Sequence, residues 1–204
     1  MNEPIKLYFN ARSRAVTARW MLEEVGATYE LTPIDFEKGE QHSAEFLALN
    51  PMGKIPTLVL PSGTVVTETP AILLTLADLF PAAGLTPDIG TDERALCYRW
   101  LFFGGSCFEP AMTIEMAAKL KEPLPPQMVG WADWKRVLDT LTAQLSDHSY
   151  LCGSAPNVAD IFIGAQLIWA RMFGAPGITD NPVLSAYADG MAARPACRKV
   201  FEFG

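Results

Sequence analysis

The stretch Gly53–Leu60, GKIPTLVL, sets a proline at the entrance to what otherwise reads as a short strand. Proline has no N–H to give a ladder and is confined to strand starts, edges and bulges, so Pro56 demands a reason for being there. TLVL at 57–60 is followed by the turn PSG and a second strand, TVVT at 64–67, which together read as a hairpin. Pro56 lies six residues before Ser62 at the hairpin tip and Glu68 six residues after it, so an in-register hairpin finishes with the two side by side. Thr69 and Pro70 read as a helix cap and a first-turn proline, which aims a helix N-terminus at the same spot. A shaped backbone, a carboxylate and a helix N-terminus together suit a zwitterionic amino-acid headgroup. The acid meets its ammonium, and the unsatisfied N–H groups meet its carboxylate. A cis bond from Ile55 to Pro56 would also free the N–H and C=O of Ile55 for an extended peptide ligand. An ordinary edge-strand proline and a solvated acid would each explain one residue; the functional reading rests on their coincidence at this spacing.

The chain before the hairpin alternates strand and helix signals. IKLYFN reads as a strand, and Ser13–Val25 as a helix with Ala18, Met21, Leu22 and Val25 on one face and a stop at Gly26. TYELTPID is a second strand, which Pro33 assigns to an edge. Ser43 caps the short helix SAEFLALN, and a further helix follows the hairpin from Pro70 to Phe80. This βαβα then ββα order predicts a small mixed sheet whose first two strands are parallel, the layout of a thioredoxin-like domain over residues 1–80. Residues 81–90, PAAGLTPDIG, have the composition of a linker. From residue 91 to 204 only helical patterns remain: Thr91 to about Lys119 with a kink at Pro110, Gln127–Ser146, Asn157–Phe173, Pro182–Ala193 and a short helix after Pro195. Asn157 and Asp160 have capping-box spacing before the uncharged run IFIGAQLIWA, which places that helix at the centre of a bundle. The expected fold class is therefore α/β plus all-α, a thioredoxin-like N-terminal domain followed by an all-helical C-terminal bundle.

Charge and cysteine usage narrow the function. Sixteen Lys and Arg stand against 23 acidic residues, for a net charge of −7, and no basic cluster offers a nucleic-acid surface. No apolar run reaches the roughly 18 residues of a membrane span and the N-terminus lacks signal-peptide regions, so a cytoplasmic protein is expected. Cys97, Cys107, Cys152 and Cys197 are widely separated and only two histidines are present; neither a metal site nor a disulfide framework is expected, but buried free thiols.

With these residues in view, the sequence resembles the glutathione transferase family over nearly its whole length. The resemblance rests on SRAVTARWMLEEVG, NPMGKIPTLVL, TETPAILLTLADLFP and the NVAD cap before a buried helix. It implies that glutathione is the co-substrate, that Ile55 pairs with the cysteinyl backbone of glutathione through a cis Pro56, and that Glu68 and Thr69 hold its γ-glutamyl end. Gln41 and Lys54 would reach the glycyl carboxylate, with His42 able to take the same part. A homodimer acting in detoxification, with a small-molecule electrophile as second substrate, is also implied. The family usually has Ser where Thr69 stands, and the hydroxyl is retained.

No cysteine precedes Cys97, so thiol chemistry in the first domain must use a sulfur carried by the ligand, held as its thiolate. Ser13, at the start of the first helix, is placed first as the donor to that sulfur, in a position similar to the catalytic residue of serine- and cysteine-type members. Tyr8, near the end of the first strand, is the rival; Asn10 is third, and Arg12 and Arg14 flank the serine. In the helical half Phe103, Phe108 and Met112 are expected to line a pocket for an apolar or aromatic electrophile, although a helix-spaced aromatic stripe usually faces a core. Other readings are a glutathione-dependent disulfide reductase, an isomerase of the maleylacetoacetate type, whose Ser-Ser-Cys signature is replaced here by ARSRA, and a non-catalytic glutathione-binding module.

Overall fold

The computed structural model describes residues 3–118 and 124–201. They fall into two compact units, one formed by the chain up to Gly84 together with its end from Pro195, the other by Leu85–Arg194.

The first unit is built on a four-stranded sheet of order β2-β1-β3-β4, with β1 at Ile5–Phe9, β2 at Tyr29–Pro33, β3 at Thr57–Val59 and β4 at Val65–Val66. β1 runs parallel to β2 and antiparallel to β3, and β2 lies at an edge, where Pro33 needs no ladder partner on its open side. Helix α1 (Ala15–Glu24) crosses from β1 to β2, α2 (Ala44–Leu49) precedes β3, and α3 (Thr69–Leu79) follows β4 and packs on α1. Ile5 and Leu7 of β1, Leu58 of β3, Trp20, Met21 and Leu22 of α1 and Ile72, Leu73 and Leu76 of α3 form its apolar interior. Ser43 caps α2 by accepting from the Phe46 N–H. At α3 the cap lies one residue earlier than the sequence suggests: Glu68 occupies it, and Thr69 is already helical. The short helix α9 (Pro195–Arg198), expected in the helical half, belongs instead to this unit. It packs on α1, with Phe201 edge-on to Trp20 at 6.0 Å and Lys199 paired to Glu23 at 3.1 Å.

The second unit is helical: α4 (Asp92–Phe103), α5 (Glu109–Thr113), α6 (Trp134–Asp147), α7 (Val158–Met172) and α8 (Pro182–Ala192). Two π-helical segments, Gly104–Phe108 and Ile114–Ala118, flank α5. The widened turn before Pro110 takes up the missing N–H that was expected to kink a continuous helix. Gly104 is required there, because a Cβ would stand 2.5 Å from the Phe162 ring of α7. The sequence pattern starts α6 at Gln127; it starts at Trp134, because the Asp133 carboxylate accepts from the Arg136 N–H and sets the cap there. The expected helix end at Lys119 lies outside the described residues.

α7 is the buried axis of this unit, packed by α4 and α8. Its capping box is formed: Asn157 Oδ1 accepts from the Ala159 N–H at 2.9 Å and Asp160 Oδ2 accepts from the Asn157 N–H at 3.0 Å. Asp160 Oδ1 also accepts from the Leu151 N–H and the Tyr187 hydroxyl. Burial, the larger influence, nevertheless pushes this carboxyl above its ordinary value. The folded unit therefore holds a proton on Asp160 more readily than the unfolded chain. Its stabilising contribution is fullest in acid and declines as pH rises through the carboxylate range. Asp160→Ala strands buried donors and is expected to lose about 3 kcal/mol of stability. Chemical denaturation of wild type and variant should show a larger difference near pH 4 than at neutrality.

Candidate functional site

The site in the first unit is assembled by strand register. Tyr8 pairs with Thr57 across β1 and β3, and Leu58 with Val66 across β3 and β4. Carried one residue further, the first ladder sets Phe9 beside Pro56; carried two, the second sets Pro56 across from Glu68, the juxtaposition counted from the hairpin tip. The Ile55–Pro56 bond is cis. Glu68 is the one non-glycine residue with positive φ among those described, at 65°. Such a conformation costs on the order of 1–3 kcal/mol for a side-chain-bearing residue and persists where its surroundings impose it. Here it turns the chain abruptly from β4 into α3, whose first helical bond runs from the Ile72 N–H to the Glu68 carbonyl. The N–H groups of Thr69 and Ala71 precede that bond and have no acceptor within the helix. Glu68 is exposed and Thr69 half-buried.

The loop leading into Pro56 is held by Asn50, a buried side chain that sequence reasoning did not single out. Its Nδ2 donates to the Lys54 carbonyl at 2.7 Å and to Thr57 Oγ1 at 3.1 Å, and its Oδ1 accepts from the Met52 N–H. Thr57 Oγ1 donates in turn to the Lys54 carbonyl. The dipeptide Asn50-Pro51 was the available signal, since Asn before Pro initiates turns. Gly53, at φ 61°, lies against the 3₁₀ turn Glu40–His42; a Cβ there would stand 3.0 Å from both the Gln41 carbonyl and His42 Nδ1. The structure thus brings Gln41 and His42 together with Gly53 and the exposed Lys54. Gln41 Oε1 is buried without a hydrogen-bond partner.

The turn from β1 into α1 is organised by Asn10. Its Nδ2 donates to the Ile34 carbonyl at 2.8 Å, its Oδ1 accepts from the Arg12 N–H, and its carbonyl accepts from the Ser13 N–H. Ser13, 9% exposed, donates its hydroxyl to that same carbonyl at 2.7 Å and accepts from the Ala15 N–H at 3.1 Å. Its hydroxyl serves the turn, and its proton is already engaged. Tyr8 is half-buried with its ring 5.3 Å from that of Phe46. Arg12 and Arg14 are exposed.

In the helical unit, Phe108 is wholly buried with its ring edge-on to Trp134 at 5.0 Å, and Met112 is buried. Both are core residues of that unit, as helical spacing of an aromatic stripe generally implies. Phe103 is partly exposed and packs edge-on to Trp100, while Phe102, not singled out from the sequence, is 74% exposed. Among the described residues no helix is long and apolar enough to cross a membrane, and no group of His, Cys, Asp or Glu side chains is arranged to hold a metal ion.

Comparison with known proteins bears on what this arrangement holds. Residues 3–78 match the model of the glutathione S-transferase N-terminal domain and residues 115–202 that of the C-terminal domain. Glutathione S-transferase F10 of Arabidopsis thaliana is 30% identical, with 94% of this chain and 92% of the relative covered. A sphingomonad glutathione S-transferase complexed with glutathione is 31% identical, with 96% of each chain covered and a TM-score of 0.79. A glutathione transferase homologue from Lodderomyces elongisporus, solved with two glutathione molecules per subunit, is 28% identical, with 98% of each chain covered and a TM-score of 0.82.

Two substitutions test the architecture of the Pro56 loop. Asn50→Ala removes a buried donor that the Lys54 carbonyl and Thr57 share and should destabilise the first unit by about 2 kcal/mol, read by denaturant unfolding. Gly53→Ala, at positive φ and against Gln41 and His42, should lose about 1–2 kcal/mol and weaken ligand binding at the loop, read by calorimetry.

Proposed function

The chain belongs to the glutathione S-transferase family, and from that premise we propose that it binds glutathione along the Ile55–Pro56 edge and transfers it to a small apolar or aromatic electrophile. The observation that carries the reading is Glu68, an exposed carboxylate held at φ 65° directly before the N-terminus of α3. A strained residue of this kind, between a strand and a helix start, suits a γ-glutamyl headgroup: Glu68 takes the ammonium, and the Thr69 N–H and hydroxyl take the carboxylate. The backbone of Ile55 then pairs with the cysteinyl residue, as a strand edge pairs with an extended peptide. Gln41 and Lys54 take the glycyl end, with His42 beside them.

That pose leaves the glutathione sulfur to be made a thiolate by groups at the β1–α1 turn. Ser13 is the proposed donor, and to act it must turn its hydroxyl from the Asn10 carbonyl to the sulfur. Tyr8 and Asn10 are the other candidates, the latter with both side-chain atoms already engaged in the turn. The thiolate then adds to, or displaces a group from, an electrophile oriented beside it. Of the three side chains expected at an electrophile pocket, Phe103 is partly exposed, whereas Phe108 and Met112 are buried in the core of the helical unit. The proposal includes a homodimer, supported by Leu74 and Leu79 on the open side of α3, acting in detoxification in a reducing, cytoplasmic compartment, consistent with four cysteines that form no disulfide.

The engaged Ser13 hydroxyl is the observation that favours a second reading, a glutathione-binding module with little turnover. Ultraviolet titration of the bound thiol separates the two. A transferase of the serine type should hold the thiol pKa below its free value, with Ser13→Ala raising it by roughly half to one unit and Tyr8→Phe leaving it in place. A rise in Tyr8→Phe alone would move the role to the tyrosine, and binding without any depression would leave the module. A second variant, Glu68→Gln, should weaken glutathione binding by about tenfold or more while a thiol-free reporter of folding stays unchanged.

A further inference from the structure

A glycine inside α8 has no packing reason to be there. Gly190 lies in the last turn of that helix, where glycine weakens the helix relative to alanine. A Cβ at Gly190 would meet nothing within 4 Å, whereas at Gly164 of α7 it would stand 2.9 Å from the Met191 side chain. Its backbone is not left-handed either. The open space in front of Gly190 belongs to a cavity of about 180 Å³ in the helical unit, which shares no residue with the Pro56 site.

One wall of the cavity is α8 and the turn after it, from which Tyr187, Gly190, Met191 and Arg194 recur at helical spacing; the facing wall is Ser149 and Tyr150, in the chain between α6 and α7. A single buried carboxylate ties the two walls together. Asp160 Oδ1 accepts from the Tyr187 hydroxyl at 2.8 Å and from the Leu151 N–H at 2.9 Å, so the capping network of α7 holds the cavity in shape without a ligand, as preformed small-molecule sites are held. Met191 is 3% exposed and forms the floor, while Ser149 and Gly190 are exposed at the mouth.

We propose that this cavity binds a small monocarboxylate whose body is a single ring or a short hydrocarbon. The lining supplies one full charge, the Arg194 guanidinium, and no carboxylate; the planar fork of an arginine matches a carboxylate with two parallel N–H···O bonds. Neighbouring acids are already matched. Asp160 lies behind Tyr187 with three donors on its oxygens, and Asp189 pairs with Arg171 at 2.7 Å. The Ser149 hydroxyl offers a further donor at the mouth, while the Tyr150 ring and the Met191 thioether offer apolar surface to the body of the ligand. The bare backbone at Gly190 lets a flat ring lie against α8. A cavity of roughly 150 Å³ holds one benzene ring, so this one admits a ring with its carboxylate towards Arg194 and is too small for a tripeptide. Bound there, the ligand would stabilise the helical unit by mass action. The inference does not depend on the glutathione reading, because every lining residue lies within Leu85–Arg194.

The test is to titrate the full-length protein with sodium benzoate, followed by calorimetry and ligand-observed NMR, with benzyl alcohol and benzylamine as neutral and cationic comparators. Benzoate should bind saturably, one per chain, with a Kd of about 1 mM, and saturating glutathione should not displace it. Benzyl alcohol should bind about tenfold more weakly, and benzylamine should not bind. Gly190→Leu sets a helix-favouring side chain into the cavity and should abolish benzoate binding with the unfolding midpoint unchanged or raised. Arg194→Gln should erase the preference for benzoate over benzyl alcohol, and neither variant should alter glutathione binding. The wild-type titrations and Gly190→Leu decide the matter even if Arg194→Gln folds poorly. No saturation by about 10 mM benzoate, equal binding of benzyl alcohol, binding that survives Gly190→Leu, or displacement by glutathione would each overturn the proposal.

Discussion

The candidate site hangs on the register of one short central strand. β3 pairs with β1 on one side and β4 on the other, so whatever precedes Thr57 meets the end of β1 and the end of β4 together. Leu7 and Leu58 face each other across the ladder and are both fully buried. A slip of one residue would turn Leu58 out of the interior and exchange the faces of the whole strand, which the lost burial of such a side chain, about 1.5–3 kcal/mol, forbids. The apolar core therefore fixes where Pro56 stands, and through it where Glu68 and the start of α3 stand. Packing and binding are in this sense one constraint.

What could be read in the sequence was what is local. Pro33 at an edge, Ser43 as a cap, the Asn157–Asp160 box and the symmetric distance of Pro56 and Glu68 from Ser62 each involve residues a few positions apart, and each follows from backbone hydrogen-bonding rules that need no tertiary context. α6 starts at Trp134 rather than Gln127 because the Asp133 carboxylate sets the cap there. The Asn50 clamp was invisible for a different reason. A buried amide declares itself only when its partners, here the Lys54 carbonyl and Thr57 Oγ1, are seen to converge on it in the fold. The return of α9 to the first unit depends on a chain path that no window of sequence contains.

The two units solve the problem of buried polarity in parallel ways. In the first, Asn50 satisfies the backbone of a loop that cannot join a ladder because Pro56 ends it. In the second, Asp160 satisfies the backbone ahead of α7 and the Tyr187 hydroxyl. Each is a single side chain accepting or donating several bonds in a dry place, so each loss leaves several groups unpaired at once.

Magnitudes indicate whether Ser13 can leave its turn to serve a sulfur. Its bond to the Asn10 carbonyl is a neutral one, worth about 1 kcal/mol net, while the Asn10 carbonyl keeps the Ser13 N–H as a second donor and is not stranded when the hydroxyl rotates. A bond from the same hydroxyl to a thiolate is charge-assisted and roughly twice as strong. The exchange therefore favours the anion by about 1 kcal/mol, less than one pKa unit. The N-terminus of α1 adds on the order of 0.3–1 kcal/mol in the same direction. Together they bring a thiol near 8.5 to about neutrality, which suffices to populate the thiolate without any cationic partner. A serine that is structural in the free protein is thus compatible with a catalytic part in the complex, because the carbonyl it leaves remains satisfied and the charge it meets repays the bond it breaks.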